Sequence, residues 1–141
     1  LLRASAACDR PEQARSIARL LACPAGLDLP EAASLAALAG TARERIVFDA
    51  GAAWFPWRSH ALWFLRQMQR WRWIDPSCDV EAVARAVYRP DLLAGPARAE
   101  GRSWPARDRK PEGGHAGRWY LEAAPAALEM YPDRLCDGMT F

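Results

Sequence analysis

The positions of proline and glycine set the strongest limit on how this chain folds, because they divide it into short segments. The chain holds 11 prolines and 9 glycines in 141 residues. Proline suits the first turn of a helix but disrupts a helix interior, and glycine is common just after a helix ends. The breaks at 9–11, 23–26 and 75–76 therefore predict several short helices and little strand.

Apolar residues recur at helical spacing between these breaks. The spacing predicts helices over roughly 11–22 and 30–40, and a further helix that Asp79 caps at its N-terminus. The short apolar run at 46–48 fits either an edge strand or a loop that tucks into a core.

The stretch FPWRSHALWFLRQMQRW, residues 55–71, predicts the longest helix. We expect it to begin between Pro56 and Ser59 and to end before Asp75-Pro76. Its aromatic residues at helical spacing indicate a buried face more than a surface for stacking a ligand. The residues expected to share that face are Ala61, Phe64, Leu65, Met68, Trp71 and Ile74.

The chain changes character after residue 95, where Gly, Pro and charged residues become frequent and no periodicity persists. We therefore divide it into a helical segment, 1–95, and an irregular loop with an extended C-terminal tail, 96–141, that packs back on the protein. Charged residues of both signs alternate within 98–112 and predict a solvated loop. The glycine pair in PEGGH, 111–115, predicts a tight turn more than an anion-binding loop.

The charge balance gives no sign of a polyanionic partner. Nineteen basic residues face 17 acidic ones, for a net charge of +2, whereas nucleic acid or anionic lipid calls for basic residues clustered on one face. No apolar run is long enough to predict a transmembrane segment, and no signal peptide is visible. Because Leu1 is not a methionine and 1–8 resembles a helix already under way, we expect this chain to be part of a longer one.

No catalytic or metal-binding pattern emerges. The four cysteines, Cys8, Cys23, Cys78 and Cys136, lack C-x-x-C spacing, so half-buried thiols are expected, and any pairing stays open. Ser59 and His60 are sequence neighbours, which point in different directions and do not make a catalytic dyad. We therefore predict neither enzymatic activity, nor a cofactor, nor a metal.

Arg58 and His60 are the candidate anion-binding residues. They lie at the predicted start of the long helix, where free N–H groups and partial positive charge attract anions. An arginine there is suited to hold a planar oxyanion through paired hydrogen bonds.

Four motifs in order resemble the nitrate/bicarbonate-type substrate-binding proteins of ABC transporters and the related nitrate sensors. The motifs are FPWRSHALWFLRQMQRW, VYRPDLL (87–93), DRKPEGGH (108–115) and YPDRLCDGMTF (131–141). The chain departs from the family pattern at Arg72, where a glycine more often follows RW.

The resemblance implies the C-terminal part of a two-lobed α/β fold of the type II periplasmic-binding-protein kind, with a small inorganic oxyanion bound between the lobes. The main pocket would lie upstream, leaving Arg58 and His60 as secondary contacts. Implied partners are the remainder of the chain and an ABC transporter permease, with a periplasmic or membrane-associated location facing the periplasm. The alternative is a cytoplasmic nitrate/nitrite sensor that sequesters an RNA-binding antiterminator. No direct contact with nucleic acid is implied.

Overall fold

The computed structural model describes residues 1–41, 45–135 and 138–141. The chain forms two compact units, residues 1–54 and 55–141. The described residues are mostly helical, as predicted, with a few short strands. None of the helices in the described residues is long and apolar enough to cross a membrane.

The first unit consists of helices α1 (Leu2–Cys8), α2 (Ala14–Ala22) and α3 (Glu31–Ala39), with 3₁₀ turns at Pro11–Gln13 and Ala50–Ala52. Helices α2 and α3 pack through small and branched side chains. The core comprises Ala14, Ala18 and Leu38, with Cys8, Ile17, Leu21, Leu35 and Phe48 against it. Residues 46–48 form a loop whose Phe48 joins this core, which decides between the two predicted alternatives.

Asp9 fastens that loop to the end of α1. Its carboxylate accepts hydrogen bonds from the backbone N–H groups of Phe48, Asp49 and Ala50 at 2.8–2.9 Å. Burial opposes ionisation of Asp9, but these three N–H donors and the positive charge of Arg45 outweigh it and lower its pKa. The loop is therefore held by a charged acceptor.

Replacing Asp9 with alanine is expected to lower the free energy of unfolding by about 1.5 kcal/mol, because three N–H groups lose their acceptor. Urea denaturation measures the loss, with Glu12→Ala as an exposed acidic control. Because the pKa of Asp9 is lower in the folded protein than its ordinary value of 3.8, ionised Asp9 stabilises the folded state fully above that pH. This stabilisation is lost as the pH falls and the carboxylate becomes protonated. The difference between wild type and Asp9→Ala should therefore shrink below that pH; a constant difference would contradict the assignment.

The second unit contains helices α4 (Arg58–Arg70), α5 (Val80–Val87) and α6 (Asp91–Ala99). Asp79 caps α5 as predicted, since its Oδ1 accepts from the Ala82 N–H at 3.0 Å. Helix α6 crosses residue 95, the predicted end of the helical segment, and the division at 95/96 stays a prediction. Four short strands follow, β1 (Trp104–Pro105), β2 (Trp119–Leu121), β3 (Ala123–Ala124) and β4 (Leu128–Met130), pairing antiparallel as β1 with β3 and β2 with β4.

The buried face of α4 differs from the predicted one. Ala61 and Leu62 pack on Ala84 of α5, with Leu65 alongside, whereas Phe64 and Trp71 are more than half exposed. The helix also ends at Arg70, short of Asp75-Pro76. The prediction holds for Ala61 and Leu65 and was wrong for Phe64 and Trp71. Helical spacing defines several overlapping faces, and the position of α5 selects the one through Leu62.

A hydrogen-bonded turn ends α4 at Arg70. The Trp73 N–H donates to the Met68 carbonyl at 2.8 Å and the Arg72 N–H to that of Gln69 at 3.0 Å, which is the Schellman arrangement. Arg72 is left-handed, with φ of +58°. This is the position where glycine is favoured, because a side chain there is strained.

Replacing Arg72 with glycine is therefore expected to raise the free energy of unfolding by about 1 kcal/mol. Arg70→Gly, two residues earlier in the last helical turn, is the matched control and should lower it by a similar amount. Thermal or urea unfolding of both variants measures the pair. A loss of stability in Arg72→Gly would contradict the strain at this turn.

Candidate functional site

Arg58, the first residue of α4, faces the carboxylate of Asp108. The backbone N–H of Arg58 donates to the Asp108 carbonyl at 2.8 Å, and its Nη1 lies 2.5 Å from the Asp108 Oδ2. The Nε of Arg58 is buried, and none of the residues that the structure describes accepts a hydrogen bond from it. A carboxylate of the same unit thus interacts with the guanidinium that was predicted to hold an oxyanion.

His60 faces a second carboxylate, that of Glu112. The His60 Nε2 lies 3.2 Å from the Glu112 Oε1, which also accepts from the Ser59 hydroxyl at 2.7 Å. The ammonium of Lys110 donates to the other carboxylate oxygen, Oε2. We call Ser59, His60, Lys110 and Glu112 the Glu112 cluster.

The two loop residues of the Glu112 cluster, Lys110 and Glu112, are largely shielded from water, whereas the His60 side chain is 42% exposed. The side chains of Lys110 and Glu112 are only 8% and 11% exposed. Burial opposes ionisation of Glu112, but hydrogen bonds from His60, Lys110 and Ser59 more than compensate and lower its pKa. The prediction of a solvated loop holds for Arg98, Arg107 and Arg109, which are exposed, and was wrong for Lys110 and Glu112. Sequence did not indicate their burial because their partners on α4 lie about 50 residues away.

The backbone of Glu112 also pairs with Phe141, the last residue of the sequence. Glu112 and Phe141 exchange N–H to carbonyl hydrogen bonds at 3.1 and 2.8 Å. The Phe141 ring packs against the core of α4 and α5, with the Arg66 guanidinium 4.8 Å from its centroid. Residues 58–60, 108–112 and Phe141 thus meet at one place, which we call the junction.

The PEGGH segment requires glycine at position 113. Its φ is +87°, and a Cβ at this position would lie 2.3 Å from the carbonyl oxygen of Met139. This close approach of two backbones requires glycine. The chain bends at residues 112–113, in a conformation that brings the C-terminal residues against it.

An open groove of about 690 Å³ adjoins the Arg58–Asp108 pair. Phe55 and Trp104 contribute aromatic surface, and Pro90 and Asp91 of VYRPDLL line it too. The Phe55 ring contacts both Trp57, which is 1% exposed, and Trp104, at centroid distances of 4.5 and 5.1 Å. The prediction of a buried aromatic core therefore holds for Trp57.

His115 belongs to a separate cluster. Its Nδ1 lies 3.2 Å from both carboxylate oxygens of Asp133, and its ring stacks on Trp119 at 3.9 Å. In the part of the chain that the structure describes, no group of three His, Cys, Asp or Glu side chains could hold a metal ion. Cys8, Cys23 and Cys78 are free thiols, and Cys136 lies outside the described residues.

The chain shares sequence with a protein of known ligand. It is 40% identical over 68 residues to the nitrate/nitrite binding protein NrtA of Synechococcus elongatus. It is a partial homologue of that binding protein. The match covers 47% of this chain and 15% of NrtA, which confirms the predicted resemblance at the level of a segment.

No protein-family model matches the chain. No solved structure matches it either. The similarity to NrtA is to a binding protein rather than an enzyme, and it indicates part of a periplasmic-binding-protein-like fold. The assignment of Arg58 and His60 as anion ligands stays a prediction.

Glu112→Gln is expected to lower the free energy of unfolding by about 3 kcal/mol, because it leaves the buried Lys110 ammonium without its counter-charge. Glu129→Gln is the matched control, since it breaks the exposed Arg118–Glu129 pair and should cost much less, because water screens a surface pair. Urea denaturation compares the two. Equal effects would show that the Glu112 cluster stabilises no more than a surface ion pair.

Proposed function

We propose that this chain is the C-terminal part of a protein that binds nitrate, nitrite or bicarbonate and delivers it to an ABC transporter. The observation that carries the proposal is the partial homology to a nitrate/nitrite binding protein. In this proposal the two lobes of the whole protein close around the anion without chemical change.

The geometry supports a scaffolding role for this chain within that protein. Arg58, His60 and Lys110, the cationic and titratable residues of the junction, each face a carboxylate of the same unit. An oxyanion gains most from donors that no other anion occupies, because it must exchange its hydration for them. The principal donors of the pocket are therefore expected upstream of these residues.

In such a protein the junction would keep the elements around the ligand pocket rigid. It joins the start of α4 to the loop at 108–112 and to Phe141. Rigid elements hold a ligand pocket to within fractions of an ångström, and their own contacts must be fixed first. The Arg58–Asp108 pair and the Glu112 cluster supply that rigidity.

Titration calorimetry of the full-length protein with nitrate, nitrite and bicarbonate tests the proposal. We expect saturable heat with at least one of them, and none with chloride at the same ionic strength. Absence of binding to all three would overturn the proposed function.

Arg58→Gln separates scaffolding from direct contact. If Arg58 only holds Asp108, both Arg58→Gln and Asp108→Asn should lower the free energy of unfolding by about 1.5 kcal/mol and leave the anion Kd within about twofold. If Arg58 contacts the anion, Arg58→Gln alone should raise Kd about tenfold or more. Calorimetry with each variant distinguishes these outcomes.

A further inference from the structure

The turn after α4 exposes a short basic and aromatic surface, Arg70, Trp71, Arg72 and Trp73, which we call the Trp-Arg patch. Trp71 is 53% exposed and Trp73 70%. The indole rings lie 5.0 Å apart between centroids. Exposed aromatic groups that lie together indicate an interaction surface for a protein, a membrane or a ligand.

The backbone holds this surface in place at a conformational cost. The two Schellman hydrogen bonds fix the turn, and Arg72 occupies its left-handed position. Glycine would satisfy the turn without strain but would remove the charge between the two tryptophans. Backbone strain kept by a charged residue supports a binding role for this surface.

The arginines of the patch are not paired with carboxylates of the described residues. Neither Arg70 nor Arg72 forms an ion pair with a carboxylate in the described ranges 1–41, 45–135 and 138–141. Asp75, the nearest acidic residue that follows, accepts hydrogen bonds from the N–H and hydroxyl of Ser77. Phe64, 55% exposed, lies seven residues before Trp71, close to the same side of α4, and extends the apolar part.

We propose that the Trp-Arg patch docks on the surface of an anionic lipid membrane. Indole groups partition to the boundary between headgroups and acyl chains, and arginine binds lipid phosphate. A stable protein interface involves about 20–30 residues on each side, whereas the Trp-Arg patch consists of four consecutive residues. A lipid surface, in contrast, gains from each inserted side chain separately.

The contact is independent of which anion the protein binds, so it does not rest on the proposed function. It makes an anionic membrane a partner of this region in its own right. The balanced net charge of +2 does not oppose it, because attraction at a membrane acts within about a Debye length of the surface.

Co-sedimentation of the purified protein with vesicles tests the proposal, using phosphatidylcholine alone or mixed with phosphatidylglycerol. We expect binding to the anionic vesicles that weakens as salt rises. Arg70→Gln/Arg72→Asn should lower the partition coefficient about 25-fold, since each basic residue contributes about fivefold. Asparagine tolerates the left-handed position, so the turn is kept.

Trp71→Ala/Trp73→Ala should reduce binding at least about tenfold through lost apolar insertion. Tyr120→Ala/Arg107→Gln, an exposed aromatic and an exposed arginine outside the patch, is the control and should bind as wild type. Equal binding to neutral and anionic vesicles, or binding unchanged in both patch variants, overturns the proposal. Patch-dependent binding to polyglutamate without binding to vesicles also overturns it, in favour of an acidic protein partner.

Discussion

The second unit depends on the burial of one carboxylate, that of Glu112. A carboxylate leaves water only when donors replace its hydration, and those donors must then be held in position. Here they come from the start of α4 and from the loop itself, while the backbone of the same residue pairs with Phe141. Satisfying one charge therefore fixes three distant parts of the chain against each other.

This constraint gives a physical meaning to the motifs that carry the resemblance. Residues of FPWRSH and DRKPEGGH meet the C-terminal Phe141 at the Glu112 cluster, and Pro90 and Asp91 of VYRPDLL line the neighbouring groove. Gly113 belongs to the same arrangement, because only glycine lets the backbone at Met139 approach it. A motif shared with a binding protein can thus specify a joint of the fold, and its polar residues need not touch the ligand.

Whether a feature could be predicted from the sequence depends on how many residues separate the groups that interact. The Asp79 cap, the helical content and the start of α4 depend on neighbours within one turn, and these were predicted correctly. The buried face of α4 depends on where α5 lies, and Phe64 and Trp71 were wrongly placed in the core. The pairing of Glu112 with Ser59 joins residues 53 positions apart, and no local pattern could indicate it.

The net charge of the chain does not indicate where positive charge lies on its surface. Composition gives a nearly balanced chain, yet the fold pairs many of its arginines, among them Arg58, Arg89 and Arg109, with carboxylates. Once these pairs form, the field near the surface is set by charges that the fold leaves without a counter-charge. Within the part of the chain that the structure describes, Arg70 and Arg72 are two such charges, two positions apart in sequence and beside exposed indoles. A net charge near zero is therefore compatible with a locally cationic surface, and the position of the ion pairs decides where that surface lies.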